Sequence, residues 1–443
     1  MTVKRSTPLS SASALLMPKS PRSTKPKGNS PRNGQSISTA NREERGLDVM
    51  QNEKEKKRQN FIVRTIWTVV MIGGFAALLA AGHIWMIALV AALQILTYKE
   101  VIALAHDKSR QRKLPYGKVL TWYLLASTIY LLYGESVIYY FREVLLVDAF
   151  LLPFATHHRF ISYMLYIMGF VIFVSSLEKG HYQYQFTQFA FTHMTLLLVV
   201  VQAHFVMNNI MSGMFWFCLP ASLVIINDIF AYLCGITFGR TPLIKISPKK
   251  TVEGFIGAWI STVIFGMLLS YFLIKWQYLI CPITDFSENA FSNLTCDPSP
   301  VFLKQTFNVP RFLVPLVNQV TYEIEPIHYH VVIMATFASL MAPFGGFFAS
   351  GLKRTFNIKD FGDTIPGHGG ITDRMDCQYM MGFFAYMYYT SFIAVHPITI
   401  ERVLNTAISS LNKEEQLQLV SSMHKYLYNQ GYTPTDASRC LGV

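Results

Sequence analysis

The chain has 443 residues, of which 51% are hydrophobic and only 14% are charged. Soluble globular domains carry about 25% charged residues, so this composition excludes an ordinary soluble enzyme, and the many Phe, Tyr and Met residues exclude a fully disordered chain. The formal net charge is +12, and thirteen Lys and Arg against five Asp and Glu lie in residues 1–60. No aromatic-interleaved basic fold accompanies this charge, so we expect no nucleic-acid partner. The composition predicts an all-α integral membrane protein with polar ends.

Three regions follow one another along the chain. Residues 1–60 are rich in Ser, Pro, Lys, Arg and Asn without an apolar period, which predicts a disordered basic tail on the cytosolic side. Residues 61–397 contain apolar runs of about 20 residues, the length that crosses a bilayer as a helix. Residues 398–443 have apolar residues at helical spacing, which predicts an amphipathic tail.

The middle region is predicted to be a polytopic bundle of about nine transmembrane helices that forms the catalytic domain. The predicted spans lie near 61–81, 84–105, 119–133, 159–177, 188–207, 214–238, 254–275, 330–350 and 376–397. The apolar run 137–155 contains three charged residues, so we expect it to lie at the membrane interface. If it crosses instead, the count becomes ten.

Basic residues in the connecting loops predict the orientation. Four loops that carry Lys and Arg fall on the same side as the N-terminal tail, which the positive-inside rule assigns to the cytosol. The loop at about 276–329 then faces a lumen. It contains Cys281, Cys296 and a sequon at Asn293, which can pair and be glycosylated in such a compartment. The sequence leaves both modifications open.

Two polar segments stand at the cytosolic ends of predicted spans. The first begins inside a span with Asp228 and continues to the run 247–254, Ser-Pro-Lys-Lys-Thr-Val-Glu-Gly. Burying a carboxylate within a membrane span without a partner costs free energy, so such a residue indicates a functional site. A metal ion or a Lys would neutralise its charge. The alternative is a structural aspartate that caps a neighbouring helix.

The second segment, residues 350–376, combines three features. Lys353, Arg354 and Lys359 supply positive charge for phosphates, and glycines at 367, 369 and 370 allow a run of backbone N–H groups to face an anion. Asp373 and Asp376, three residues apart, share one face of the first turn of the last predicted span. Such a pair suits Mg²⁺, which prefers oxygen ligands and shares them with substrate phosphates. The segment therefore predicts a metal-assisted site for phosphate chemistry.

The same segment resembles the signature of the phosphatidate cytidylyltransferase family, also called CDP-diacylglycerol synthases. The matching positions are Ser350, Lys353-Arg354, Lys359-Asp360, His368-Gly369-Gly370 and Asp373-Arg374-Met375-Asp376, and residues 247–254 resemble the family's second characteristic stretch. The resemblance implies transfer of the cytidylyl group of CTP to phosphatidic acid, which gives CDP-diacylglycerol and pyrophosphate. It also implies a location in the endoplasmic reticulum membrane and a homodimer.

Roles for individual residues follow from this resemblance. Asp228, Asp373 and Asp376 are the expected catalytic residues and Mg²⁺ ligands. The expected substrate-binding residues are Ser247, Lys249, Lys250, Thr251, Glu253, Ser350, Lys353, Arg354, Lys359, Asp360, His368, Gly369, Gly370 and Arg374. Asp360 and Asp363 can alternatively orient basic groups or bind metal, and His368 either donates to a phosphate or shapes the glycine loop.

Other functions remain open at this level. A CTP-dependent polyprenol or lipid kinase would use the same nucleotide but would transfer a different phosphate. A transporter for an anionic metabolite would also place Lys, Arg and Asp at helix ends, although no two-half repeat is visible in the sequence.

Overall fold

A computed structural model describes residues 55, 58–59, 62–106, 116–140, 152–283, 286–292, 296–308, 321–394, 403–404, 407–408 and 411–431. The chain divides into two units, Met1–Ile62 and Val63–Val443. Nearly all of the first unit, including the predicted disordered tail, lies outside the described residues. The site described below belongs to the second unit.

Helices dominate the described chain because long apolar runs satisfy their backbone hydrogen bonds internally only as helices in a membrane. The helices are α1 Ile62–Ala81, α2 His83–Ala105, α3 Tyr116–Tyr140, α4 Leu152–Thr156, α5 His158–Ser175, α6 Tyr182–Thr195, α7 Gln202–Ser212, α8 Phe215–Phe238, α9 Val252–Leu273, α10 Gln277–Ile280, α11 Ile327–Leu340, α12 Pro343–Thr355, α13 Thr372–Phe392 and α14 Lys413–Asn429. This is the polytopic, mostly helical membrane architecture that the sequence predicts.

Seven helical segments of the described residues are long and apolar enough to cross a membrane, rather than nine. The predicted spans 119–133 and 376–397 do exist as helices, α3 and α13, with 25 and 21 residues. Tyrosines in both helices, together with the charged residues and Gln378 at the start of α13, lower their hydropathy below that of the other spans. The predicted interfacial run 137–155 lies mostly outside the described residues, so its position stays a prediction.

Two of the predicted spans are not regular helices. The predicted span 330–350 is divided into α11 and α12, because Pro343 opens a new helix at a position where its missing N–H is not needed. Between α6 and α7 the chain forms a π-helical segment, Leu196–Val201, within one continuous helical run. Such π segments occur frequently at functional sites.

The main core lies where α7, α8, α11 and α13 meet. Its centre includes Ile210, Trp216, Leu219, Met334 and Met381, all essentially inaccessible to solvent. Around it, α8 packs on α9, α9 on α11, and α7 on α13. These contacts bring the first turns of α9 and α13 to the same part of the bundle as the second half of α8.

Two short antiparallel hairpins interrupt the helices. β1 Pro242–Ile244 pairs with β2 Ser247–Thr251, and β3 Gln305–Asn308 pairs with β4 Thr321–Ile324. The first hairpin follows α8 and carries the polar run 247–251. The second belongs to the loop predicted to face the lumen.

A disulfide joins Cys281 and Cys296, whose Cα atoms are 6.0 Å apart. The adjacent Ile283 N–H donates to the Met211 carbonyl at the end of α7. α8 starts beside this point, and its 24 residues extend roughly 36 Å to the β1–β2 hairpin. The disulfide and the hairpin therefore lie at opposite ends of the bundle. The sequon at Asn293 is outside the described residues.

The C-terminal tail contains the amphipathic helix α14. It begins with a capping box in which Asn412 and Glu415 exchange side-chain-to-backbone hydrogen bonds. Its apolar residues Leu417, Val420 and Met423 are exposed, and none of its residues is buried in the described chain.

Candidate active site

Asp373 joins three parts of the predicted signature. Its Oδ1 accepts a hydrogen bond of 2.7 Å from the Lys353 ammonium, and its Oδ2 accepts from the backbone N–H groups of Phe361 and Gly370 at 3.1 and 3.3 Å. The Asp373 side chain is 10% exposed and that of Lys353 is 21% exposed. Because both oxygens are engaged, Asp373 holds the end of α12 and the following loop against the start of α13.

A second carboxylate, Glu100 near the end of α2, organises the same loop. It accepts hydrogen bonds from the Ile371 N–H at 3.1 Å, the Thr372 N–H at 2.9 Å and the Thr372 hydroxyl at 2.8 Å. The Thr364 hydroxyl also donates to it. Glu100 therefore occupies the N-terminus of α13, where the helix dipole favours a negative charge. Sequence analysis missed this residue.

The backbone N–H groups of the glycine loop do not form the anion cradle that the sequence suggests. Residues 365–369 form a tight turn in which the N–H groups of His368 and Gly369 donate to the Ile365 carbonyl. The next N–H, of Gly370, donates to Asp373, and the two after it donate to Glu100. Protein acceptors thus satisfy the donors from residue 368 to residue 372.

Gly370 is required by close packing. A Cβ atom at this position would lie 2.8 Å from a Glu100 carboxylate oxygen and 2.9 Å from the Gly362 nitrogen. Gly369 has φ +85°, a backbone conformation that favours glycine. The glycines therefore allow the loop to fold onto Glu100 and Asp373.

Asp228 and Asp376 form an aspartate pair of a different kind. They project from α8 and α13, and each lies within electrostatic range of the other and of Lys250. The Asp376 carboxylate accepts from the backbone N–H of Cys377 at 2.7 Å. Neither carboxylate forms an ion pair with a side chain of the described residues. Two neighbouring like charges without a bound cation repel each other, which fits a site for a divalent cation.

The three carboxylates predicted as common metal ligands are thus divided. No group of three or more His, Cys, Asp or Glu side chains in the described part of the chain is placed to hold one ion. Asp373 already pairs with Lys353 and two N–H groups, whereas neither carboxylate of the aspartate pair is in direct ion-pair contact with a cation of the described residues. The residues present fit a cation shared between Asp228 and Asp376 and a phosphate-bearing ligand.

An open cleft of about 390 Å³ lies at the end of α12. Five of the predicted substrate-binding residues line it: Ser247, Ser350, Lys353, Arg354 and Lys359. Three cations and two hydroxyls in one cleft suit a ligand with several phosphate groups. The cations at 353 and 354 also lie in the last turn of α12, where positive charge is favourable.

One face of α12 connects this cleft with the aspartate pair. Gly346, Ser350 and Lys353 follow one another at helical spacing. Gly346 packs against Asp376, because a Cβ atom there would lie 3.3 Å from Asp376 Oδ2. On the same side, the Lys250 ammonium lies 5.0 Å from the centre of the Phe347 ring. The cleft and the aspartate pair therefore form a continuous polar surface.

Thr251 and Glu253, in the second predicted stretch, make hydrogen bonds that stabilise the local fold. The Thr251 hydroxyl caps α9 by accepting from the Gly254 N–H at 3.2 Å. The Glu253 carboxylate accepts from the N–H groups of Arg240 and Thr241 and from the Thr241 hydroxyl at 2.8 Å. Both residues thus fix the hairpin that carries Ser247 and Lys250. Lys249 belongs to β2, and its side chain lies outside the described part.

The remaining predicted residues surround the glycine loop. His368 Nε2 lies 3.2 Å from the Thr68 hydroxyl of α1, and the Arg374 guanidinium donates to the His368 carbonyl at 2.8 Å. From α1, Arg64 also donates to the Gly367 carbonyl at 2.7 Å. These contacts indicate that His368 shapes the loop. Asp360 is exposed at its edge, as is Asp363.

Fold and site together define a polytopic membrane protein with a cation-lined cleft beside a carboxylate pair. The model of the cytidylyltransferase family matches residues 62–392. A phosphatidate cytidylyltransferase of Saccharomyces cerevisiae is 51% identical over 378 residues, 85% of this chain and 83% of that protein. Phosphatidate cytidylyltransferase 1 of Homo sapiens is 44% identical over 375 residues, 84% of this chain and 80% of that protein. The chain belongs to the cytidylyltransferase family.

Proposed function

We propose that this protein is a phosphatidate cytidylyltransferase, which transfers the cytidylyl group of CTP to phosphatidate. Family membership and the names of relatives that match most of the chain support this activity. The observation that carries the proposal is the polar surface along α12, where three cations of the cleft adjoin the aspartate pair. A site of this kind suits the joining of two polyanions.

In the proposed reaction a phosphate oxygen of the lipid attacks the α-phosphorus of CTP. The bond from the α-phosphorus to the oxygen that bridges it to the β-phosphorus breaks, and pyrophosphate leaves with that electron pair. The lipid phosphate is already anionic at neutral pH, so it needs no strong base. The barrier comes from bringing the anions together and from charge on the leaving pyrophosphate, which fixed cations stabilise.

Lys353, Arg354 and Lys359 would bind phosphates in the cleft, with the Ser247 hydroxyl as a further donor. The Ser350 hydroxyl lines the cleft but donates to the Gly346 carbonyl at 2.8 Å, so it would have to rotate to donate to a phosphate. Lys353 keeps a fixed position because Asp373 holds its ammonium. Asp373 and Glu100 are positioning residues in this scheme. Lys250 and Arg374, which lie near Asp228, would extend the positive surface toward the aspartate pair.

Asp228 and Asp376 would hold Mg²⁺ or another hard divalent cation. Bound there, the ion would supply Lewis-acid stabilisation of charge on the phosphates. Because the two aspartates come from different helices, their alignment depends on how α8 packs against α13.

We further propose that the protein resides in the endoplasmic reticulum membrane as a homodimer, with its N-terminus and the cleft on the cytosolic side. The basic loops support this orientation through the positive-inside rule. A disulfide at the other end of the bundle is compatible with an oxidising lumen.

The test uses purified full-length protein in detergent with phosphatidic acid, Mg²⁺ and CTP labelled at either the α- or the γ-phosphate. We expect the α label to enter chloroform-extractable lipid and the γ label to appear in pyrophosphate, with no lipid labelling when phosphatidic acid is omitted. Lys353→Met should strongly reduce the incorporation, whereas Lys413→Met on helix α14, which does not line the cleft, should not. Transfer of the γ label to lipid would instead indicate a lipid kinase, and absence of any phosphatidate-dependent pyrophosphate release would refute the enzyme.

A further inference from the structure

A second cavity, of about 240 Å³, lies on the other side of α12 from the cleft. It is a partly open cavity lined by α2, α6, the π segment, α7, α12 and α13 together with Phe361 of the intervening loop. Apolar side chains such as Leu198, Val199 and Phe348 form most of its wall. Asp376, a member of the aspartate pair, is the only charged residue among the described residues that line it.

The four hydroxyl-bearing side chains around this cavity have hydrogen-bond partners within the protein, and Gln202 and Asp376 are its remaining polar groups. The hydroxyls of Thr97 and Tyr379 lie 3.2 Å apart, and the Thr195 hydroxyl donates to a backbone carbonyl at 2.8 Å. The Thr372 hydroxyl donates to Glu100. Stable buried water needs two to four polar partners, whereas an apolar cavity of about 150 Å³ stays dry and accepts an apolar guest. The cavity is therefore suited to a hydrocarbon group.

α12 separates the cavity from the cleft. Gly345, Ala349 and Leu352 face the apolar cavity, whereas Ser350 and Lys353 face the polar cleft. The two spaces approach each other at Asp376, which lines the cavity and belongs to the polar surface. A ligand that occupies both must carry a phosphate at one end and an apolar chain at the other.

We propose that this cavity receives one acyl chain of the phosphatidate substrate and thereby selects among substrates by chain length. This inference rests on the proposed function. Lipid tails in a bilayer are already in an apolar medium, so entry into the cavity brings no hydrophobic gain. The volume and shape of the cavity, rather than general affinity for hydrocarbon, then determine which chain is accepted.

Two features of the wall fit this role. Phe348 lines the cavity and is 49% exposed, so it borders the exterior of the bundle, where lipid would enter. Leu198 and Val199 belong to the π segment, whose wider turn departs from the regular helix on either side. The irregular turn of the π segment therefore forms part of the cavity wall.

The experiment measures chain selectivity directly by competition. Wild-type protein and variants receive equal amounts of dioctanoyl and dioleoyl phosphatidic acid in the same detergent micelles, and mass spectrometry gives the ratio of the two CDP-diacylglycerol products. Leu198→Trp reduces the cavity, so the ratio of dioleoyl to dioctanoyl product should fall by about tenfold. Leu198→Ala enlarges it and should shift the ratio in the opposite direction. Leu197→Trp is the matched control, because Leu197 is adjacent, 61% exposed and not part of the wall.

Opposite shifts for the two Leu198 variants, with an unchanged ratio for Leu197→Trp, would support the acyl-chain site. An unchanged ratio in either active Leu198 variant would overturn it while leaving the proposed enzyme intact. Equal shifts with Leu197→Trp would also overturn it, since the effect would then arise from the helix surface. If wild-type protein forms neither product, the proposed function fails, and this inference fails with it.

Discussion

The carboxylate of Glu100 binds Thr372 twice, through the backbone N–H at 2.9 Å and through the side-chain hydroxyl at 2.8 Å. The two residues are 272 positions apart in the chain. Their contact places the end of α2 against the first turn of α13, one residue before Asp373. The position of Asp373, and through it that of Lys353, therefore depends on Glu100.

Glu100→Ala is expected to reduce both stability and activity. Its removal leaves the buried N–H groups of Ile371 and Thr372 without an acceptor, which should cost about 3 kcal/mol of unfolding free energy. Displacement of Lys353 should lower kcat/KM for CTP by about a hundredfold. Glu100→Gln retains an acceptor oxygen and should recover part of both losses.

Thermal unfolding in detergent and kinetics well below the unfolding temperature separate the two effects. Glu323→Gln, at an exposed position of β4, serves as a control that removes a carboxylate without either effect. Normal kcat/KM in folded Glu100→Ala protein would show that Glu100 only stabilises the fold.

Lys353 and Asp373 are expected to act as one unit. Single variants Lys353→Met and Asp373→Asn should each lower kcat/KM strongly, and the double variant should be little worse than either, because each change already breaks the same pair. Lys359→Met provides a matched comparison. Lys359 lines the same cleft, but Asp373 makes no ion pair with it among the described residues, so its effect should add to that of Asp373→Asn. Additive losses for the Lys353 pair would contradict the coupling.

The aspartate pair and Asp373 are expected to differ in their response to metal. Asp228→Asn and Asp376→Asn should raise the Mg²⁺ concentration for half-maximal activity by about tenfold or more, or abolish activity. Asp373→Asn should lower activity without that shift, because the Asp373 carboxylate positions Lys353 in this scheme. Binding of Mn²⁺, followed by electron paramagnetic resonance without substrate turnover, should weaken only in the first two variants. Equal weakening in all three would restore Asp373 as a metal ligand.

The comparison of Glu100 with Lys353 shows what the sequence can reveal about such a site. Lys353, Arg354 and Lys359 could be predicted because they are clustered in a dense polar segment beside an apolar one, and they line one cleft. Glu100 lies at the end of an ordinary apolar span, far away in the chain. Its one local signal was an ionisable residue at a helix end. Only tertiary packing reveals its contact with α13.

The sequence also predicts some features of the helices better than others. Apolar length predicts spans such as α8 and α9 well, because the bilayer thickness sets it. Apolar length alone does not reveal that one run is divided at Pro343, where the proline is the local signal. It also does not reveal the π segment in another run, which has no such local signal. The glycines at 367, 369 and 370 suggested from composition a run of N–H groups that faces an anion. The hydrogen bonds of residues 368–372 within the protein favour a turn instead.

Arg354 and Lys359 should contribute to nucleotide binding through charge. Arg354→Gln and Lys359→Gln should each raise the KM for CTP by about tenfold, because charge-assisted hydrogen bonds to phosphate are among the strong ones. kcat should change less, since neither side chain contacts the aspartate pair in the described structure. Thr355→Val, beside them on the exposed end of α12, is a suitable control. A fall in kcat with constant KM would place these residues at the reacting phosphorus instead.

The disulfide is expected to stabilise the protein without affecting catalysis. It closes a loop of 15 residues, for which the loss of chain entropy in the unfolded state corresponds to about 3 kcal/mol. The double variant Cys281→Ser, Cys296→Ser should therefore unfold at a lower temperature, and a reducing agent should lower the unfolding temperature of wild-type protein similarly while leaving the variant unchanged. Activity below that temperature should stay normal, because α8 places the cleft roughly 36 Å away at the other end of the bundle. If the variant loses activity while it is still folded, the two ends of α8 are coupled, and the loop that contains the disulfide has a part in catalysis.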